Sequence, residues 1–488
     1  MRRAAILSLA LVAVSAPVPA PARAASSGWR APVAGPHEEA LLYTKARLAS
    51  DVTALERFRP GYSFWQWVFL IPDGSVAFGS ARDGRLLARF PMRGDWLREA
   101  YWEDVSLAPL LGSTRLPTRL DDRRDQVAHL FEPSVGPVVH NLTRGGLLLS
   151  NVERYGSFLS EWAAIYERFG VPWEIGLAQA IVESGLSGTI KSEARAVGFC
   201  QWLPRNWDRL KRLSRNVIEW QNQTTQAPYC AAYLTVLATK YGSFIPALSE
   251  HHAGVINVGR TVINGFRLGG QDIREQYFLG SEFARDLSAI SARSFRQVVG
   301  TYGPRSFRYA EMVFGNTFTV KELHESIPQD RIFAMRAERN IPLAQVTERT
   351  GLPVTEVRRF NPALVRQVPK GANLYLPVQA QQFGTDVTFW HRSAPPAFST
   401  VLYDFVRLET SPEEWEDPAF DAVLREFRRR FSETETEEGD VMSAVLAYVL
   451  QEIPASRRIL ATYRNSARVR RVFEQGVARR EQVRLSTG

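Results

Sequence analysis

One carboxylate, and the run of residues after it, hold the chemistry this sequence offers. Pro172 suits the first turn of a helix, Trp173, Leu177, Ala180 and Ile181 give that helix a buried face, and Gly185 stops it. Glu183 therefore falls in the last turn. A carboxylate there meets the negative end of the helix dipole and, in apolar surroundings, loses hydration. Both effects favour the protonated form. Such a group suits general-acid work, above all glycosidic bond cleavage, where the leaving oxygen takes up a proton as positive charge develops on the sugar. A glutamate at a helix end is by itself most often a solvated surface residue, so the reading depends on what surrounds it.

Glu183-Ser184-Gly185 is followed by Ser192 and then by Ala196-Val197-Gly198-Phe199-Cys200-Gln201-Trp202-Leu203-Pro204. This order and spacing resembles the lytic transglycosylase pattern of E-S, then S, then G-L-M-Q and a following proline. Tyr233-Leu234 with Tyr241-Gly242 is similar to that family's Y-L and aromatic-G helix pair. Ala253-Gly254 with Val258 resembles the end of its A-Y-N-A-G and the valine after it, and Tyr309 in Arg308-Tyr309-Ala310-Glu311 resembles the tyrosine of its late Y-V motif. The stretch from about Tyr155 to Asn316, about a third of the chain, thus resembles the soluble lytic transglycosylase domain, closest in style to the membrane-bound type D branch. The resemblance implies a lysozyme-like helical fold, a catalytic role for Glu183 and sugar-binding roles for Ser192, Gln201, His252 and Tyr309. Two departures stand out: the family's Y-N is His251-His252 here, and its G-L-M-Q is Gly198-Phe199-Cys200-Gln201. His252 occupies the place of an asparagine that holds the substrate acetamido group, and offers a ring nitrogen with different reach and a charge that depends on pH. Trp202 and Trp207 either stack on sugar faces or belong to the core.

Counting carboxylates separates two mechanisms. An ordinary glycosidase needs a pair, whereas Glu193, in the loop ten residues after Glu183, occupies no position of the family pattern. The resemblance implies a reaction that needs only one. Glu183 protonates the bond between N-acetylmuramic acid and N-acetylglucosamine, the acetamido group stabilises the cation, and the carboxylate then takes a proton from the muramyl 6-hydroxyl as a 1,6-anhydro ring closes. The expected substrate is the glycan strand of peptidoglycan. A lysozyme-type hydrolase on the same fold, and a glycan-binding scaffold that has lost turnover, are the rival readings. Glu250-His251-His252 could be read as metal ligands, but adjacent residues on a helix do not face one ion and no third ligand is spaced to help. No metal and no cofactor is expected, and a packed or capping histidine is the simpler account.

The elements that must position these residues can be read more coarsely. The 488 residues suggest about three folded units. Apolar residues at 45% and charged residues at 23% exclude wholesale disorder and a fibrous repeat. Lys+Arg 60 against Asp+Glu 51 gives +9, but the basic residues are scattered among acidic ones and form no stripe, so nucleic acid is not an expected partner. Arg2 and Arg3, the apolar run from Ala4 to Val14 and the small residues Ala22-Arg23-Ala24-Ala25 have the layout of a secretory signal over residues 1–24. The mature protein is then expected in the periplasm or secreted, in the cell envelope. Its apolar stretches are shorter than the roughly 20 residues a spanning helix needs, so no stable membrane span is expected. Cys200 and Cys230 would meet an oxidising environment, where they pair or stay as small buried hydrophobes.

The expected fold is mainly α. Residues 26–145 read as a small mixed α/β module: a helix to about residue 60, then a hairpin or meander over Trp65 to Phe90, broken by Pro72-Asp73-Gly74 and Asp83-Gly84. Residues 148–316 form the lysozyme-like helical domain. Residues 325–380 read as helix-turn-helix then strand, and Ile341-Pro342-Leu343, Gly351 to Val357, Phe360-Asn361-Pro362 and Leu374-Tyr375-Leu376-Pro377 resemble a degenerate LysM glycan-binding module. Residues 398–488 read as charged helices, acidic from Ser432 to Asp440 and basic from Arg457 to Arg484, in a solvated bundle. The N- and C-terminal regions are candidate surfaces for other cell-envelope proteins.

Overall fold

The computed structural model describes residues 36–112, 114–214, 217–300, 302–377, 381–389, 424–426, 428–429 and 437–487. The expected secretory signal and much of the stretch from 398 to 436 lie outside the described residues. The chain is mainly helical, and no helix among the described residues is long and apolar enough to cross a membrane.

Helix α1 (Pro36–Phe58) and a short 3-10 turn lead into helix α2 (Trp65–Leu70). The aromatic-rich stretch expected to open a hairpin at Trp65 is thus helical at its start, because Trp65, Val68 and Phe69 fall on one face and bury it. The hairpin itself follows, strand β1 (Ser75–Ser80) to strand β2 (Leu86–Pro91), with Asp83-Gly84 in the turn. Strand β3 (Tyr101–Trp102), the short helix α3 (Ala108–Gly112), helix α4 (Leu120–Val135) and strand β4 (Val138–Leu142) complete the module. Its sheet is antiparallel in the order β3-β2-β1-β4. Val127 and Phe131 of α4 join Phe78, Phe90 and Trp96 in a separate aromatic core.

The central helices follow: α5 (Gly145–Tyr155), α6 (Leu159–Arg168), α7 (Trp173–Ser184), α8 (Pro204–Leu213), α9 (Gln223–Tyr241), α10 (Phe244–Ala253), α11 (Val255–Arg267), α12 (Ile273–Ile290), α13 (Ala292–Val298) and α14 (Tyr309–Ser326). Almost every residue of α9 is buried, as in a helix surrounded by others on all sides. The two cysteines form a disulfide, Cys200–Cys230, with Cα atoms 6.0 Å apart, tying the loop before α8 to α9.

Beyond α14 come strand β5 (Phe333–Ala337), strand β6 (Ile341–Pro342), helix α15 (Leu343–Thr350), helix α16 (Val354–Phe360), strand β7 (Gln367–Val368), strand β8 (Asn373–Leu376) and strand β9 (Val387–Phe389). A sheet in the order β8-β5-β9 and the β6-β7 pair enclose a small core of Met335, Ile341, Val346, Val357, Val368 and Leu374. This unit is docked on the central helices. Phe360 packs against Phe158 at 4.6 Å, and the Tyr375 hydroxyl bonds Thr225 Oγ1 at 2.7 Å.

Helices α17 (Glu437–Asn465) and α18 (Ala467–Thr487) end the chain. The expected solvated bundle is corrected here: Val441, Val445, Leu446, Val449, Ile453 and Leu460 of α17 are buried in the same core as α9. The charges that suggested solvation sit at the ends of the segment, whereas Val441 to Leu450 is apolar on nearly every side. Tyr463 fixes the far end of α17, donating to the Val298 carbonyl at 2.7 Å.

Candidate active site

Helix α7 reaches the site end-on. Its interior, from Ile175 to Ile181, is buried without interruption, so Glu183 in the last turn is carried on a rigid element. Gly185 closes the helix in the left-handed region at φ +52, where a Cβ would stand 2.9 Å from the Leu147 side chain and 3.0 Å from the Leu148 amide nitrogen. Ser184, fully buried, bonds the Ala180 carbonyl at 3.0 Å and the Phe199 carbonyl at 3.3 Å, joining the helix end to the following loop.

That loop is braced from inside. The Gln226 side chain accepts from the Phe199 amide at 2.7 Å and donates to the Gly188 and Trp220 carbonyls at 3.1 and 2.6 Å. Gly198 lies against this amide at φ +78, and a Cβ there would come within 2.2 Å of it. Gln201 donates to the Ile190 carbonyl at 3.2 Å and the Gly198 carbonyl at 3.1 Å. Ser192 is exposed, and its hydroxyl accepts from the Ala196 amide at 3.0 Å. Ser192 and Gln201, expected to bind sugar, are thus engaged in holding the loop's own backbone. Trp202 and Trp207 belong to the core, 3% and 0% exposed with rings 4.8 Å apart, which decides between the two readings offered for them. Glu193 is exposed.

Glu183, Tyr309 and His252 do come together. The Tyr309 hydroxyl donates to Glu183 Oε1 at 2.6 Å. The His252 ring lies flat on the Tyr309 ring, centroids 4.5 Å apart at an interplanar angle of 3°, and Tyr302 meets His252 edge-on at 5.6 Å. The Glu183 side chain is only 12% exposed and makes no ion pair with Lys or Arg among the described residues. Burial pushes its carboxyl up to about 7, against the opposing pull of the Tyr309 hydrogen bond. A carboxyl shifted this way holds its proton to much higher pH than an ordinary glutamate, which a general acid requires. Burial also raises the Tyr309 phenol well above its usual range, with Glu183 adding to the effect, so this hydroxyl remains a donor.

His251, to which the sequence pattern assigns no role, is also a member of the site. Its Nδ1 lies 4.0 Å from Glu183 Oε1, and its ring meets Tyr233 edge-on at 5.8 Å. Burial, then the neighbouring His252, pushes His251 down to about 3, and burial alone pushes His252 down to about 4. Both imidazoles are therefore neutral at pH 7. Glu250, the residue before them, is engaged with Lys240 at 2.6 Å and with the Tyr241 hydroxyl. Among the described residues no group of three or more His, Cys, Asp or Glu side chains is arranged to hold a metal ion.

A cleft of about 530 Å³ adjoins this cluster, within the ~300–1,000 Å³ typical of small-ligand sites. His251 and His252 line it together with Tyr233 and Tyr302, and Tyr448 and Glu452 of α17 also belong to its lining, the Tyr448 ring 6.2 Å from that of Tyr233. Tyr448 is anchored by a 3.0 Å bond to Asn206, and Glu452 pairs with Arg209. The lining is mixed: the aromatic rings, the Asn206 and Asn257 amides and the neutral imidazoles offer apolar faces and hydrogen-bonding groups, and Arg205, Lys240, Glu250 and Glu452 add charge. No protein-family model matches the chain, and no curated protein matches it.

Proposed function

We propose that this protein is a lytic transglycosylase, an enzyme of the cell envelope that cleaves the N-acetylmuramic acid to N-acetylglucosamine bond of peptidoglycan without water. The observation that carries the reading is Glu183: a nearly buried carboxyl at a helix end, without a Lys or Arg partner among the described residues and pushed up to about 7 by burial, beside a cleft lined by aromatic, amide and charged groups. Glu183 gives its proton to the leaving N-acetylglucosamine oxygen. The carboxylate left behind, held by Tyr309, then draws the proton from the muramyl 6-hydroxyl, whose oxygen closes on the anomeric carbon. One acid that becomes a base suffices, which fits a site where the next carboxylate along the chain, Glu193, is exposed.

The order of motifs from Glu183 to Tyr309 supports a lysozyme-like arrangement of the central helices. The strand-helix-helix-strand order from Ile341 to Leu376 supports a LysM-like glycan-binding unit docked beside them. With the expected secretory leader, these features favour a periplasmic or secreted enzyme whose substrate is the wall polymer.

Mass spectrometry of sacculi digested by the wild type and by Glu183→Gln tests the reading. Fragments ending in 1,6-anhydromuramic acid, absent with the variant, are the expected result. Reducing ends would instead identify a hydrolase, and equal inertness of both proteins would leave only glycan binding.

A further inference from the structure

His251 poses a question that the single-acid mechanism leaves open. It is almost fully buried, with 4% of its side chain exposed, and neither ring nitrogen has a hydrogen-bond partner among the described residues. A buried imidazole with both nitrogens unanswered calls for an explanation, since nearly all buried polar groups in folded proteins are paired. One nitrogen points to a use: Nδ1 lies 4.0 Å from the same Glu183 oxygen that receives the Tyr309 hydroxyl. That is about 1 Å beyond a hydrogen bond, the kind of gap that closes when charge develops on the acceptor during reaction.

We infer that His251 is a positioning residue for Glu183: its Nδ1–H closes onto Oε1 as the carboxyl gives up its proton, adding a second donor beside Tyr309. The inference rests on the reading of Glu183 as the acid of the site. Because Tyr309 already donates to Oε1, the acid proton resides on Oε2 and passes from there to the leaving oxygen. The O–H electron pair stays on the carboxylate, and His251 keeps its own proton throughout. The imidazole thus acts on the charged state alone, which is where a donor raises the rate and not merely the affinity. Its neutrality suits this role, since a cationic ring would hold Glu183 ionised before substrate arrives.

The groups around this corner are the Tyr309 phenol from α14, Tyr166 from α6, Gln179 from α7, Tyr233 from α9, His252 from α10, the Lys240–Glu250 pair, and Tyr448 and Glu452 of α17 in the cleft lining. Of these, Tyr309 is the one that hydrogen-bonds Glu183. His251 has bonding capacity to spare at this corner, as does Gln179, one turn before Glu183 on α7 and beside Tyr309.

The test compares His251→Phe, which keeps a flat ring without nitrogens, with His251→Asn, whose amide can donate from nearly the position of Nδ1. The full chain is used, and thermal unfolding checks that each variant folds. The direct readout is the titration of Glu183, followed by the carbon chemical shift of its labelled carboxyl, which needs no turnover. The expected result is a midpoint about one pH unit higher in His251→Phe, a tenfold change in the ionisation constant, with His251→Asn returning toward wild type. In the peptidoglycan assay, kcat should fall roughly 10- to 100-fold with KM little changed, as expected for one lost hydrogen bond to a charged group. A Glu183 midpoint unmoved in His251→Phe overturns the inference. Should that variant not fold, His251→Leu makes the same comparison. If the wild type does not cleave peptidoglycan at all, the proposed function fails while the carboxyl titration still decides the role of His251.

Discussion

Tyr309 serves Glu183 and His252 with different parts of one side chain: its hydroxyl donates to Glu183 Oε1 at 2.6 Å, and its ring carries the His252 imidazole at 4.5 Å. Glu183 and His252 are therefore set by the same phenol. A shift of α14 would displace both.

Tyr309→Phe separates these two duties, keeping the ring and removing the hydroxyl. That hydroxyl favours the ionised carboxyl, so its loss moves the Glu183 midpoint further up. The alkaline limb of kcat/KM, which reports the free enzyme's acid, should shift to higher pH, while kcat drops about 10- to 100-fold, as for one hydrogen bond to a charged group. A pH-rate profile of the two proteins on glycan strands checks both.

Glu183→Gln should stabilise the fold at alkaline pH. The carboxyl titrates at about 7 in the folded chain against an ordinary value of 4.5. The native state thus holds the proton more tightly than the unfolded state does. Stability is complete below about pH 4.5 and declines as pH rises through about 7, by on the order of 3 kcal/mol. Glutamine, always neutral, escapes that decline. Urea midpoints at pH 5 and pH 8 should show the variant gaining on wild type as pH rises.

Leu460→Ala tests whether α17 is integral. Leu460 is 3% exposed and packs on α11 at Gly259. Truncating a buried leucine costs about 2–5 kcal/mol, whereas a residue in a solvated bundle would lose within ~0.5 kcal/mol. Chemical denaturation of the full chain distinguishes the two.

The Cys200–Cys230 bridge closes a span of 30 residues between the loop after Glu183 and α9. Closing such a loop stabilises by about 3–4 kcal/mol in the chain-entropy account. Cys200→Ala with Cys230→Ala should therefore unfold at lower denaturant than the oxidised wild type, and dithiothreitol should bring the wild type toward the same midpoint.

Much of the arrangement around Glu183 was legible because it is local. A proline, an apolar face and a glycine set the ends of α7, and the carboxyl's place in the last turn follows from counting. The turn at Asp83-Gly84 was legible for the same reason, and so was the helix-helix-strand order beyond residue 340. What escaped was set by distant packing. His251 enters the site because α10 lies against α14, which in turn packs on α7, and a histidine pair in the sequence carries no sign of which ring faces the acid. Gln226 looked like any polar residue of a long helix, yet its side chain holds the loop at Gly188, Phe199 and Trp220. Ser192 and Gln201 fit a sugar-binding motif by type and spacing, while their hydrogen bonds show them engaged with the loop backbone. The C-terminal helix was misread because charge at its two ends outweighed the apolar middle.

The burial of α17 bears on how the molecule can be divided. Its residues Tyr448 and Glu452 lie more than 130 positions beyond Tyr309 in sequence, yet they line the same cleft as His251. A fragment trimmed at residue 316 would bare the flanks of α9 and α11 that α17 covers and would leave the cleft open on that side. Recombinant fragments meant to keep the cleft whole should therefore extend through Asn465.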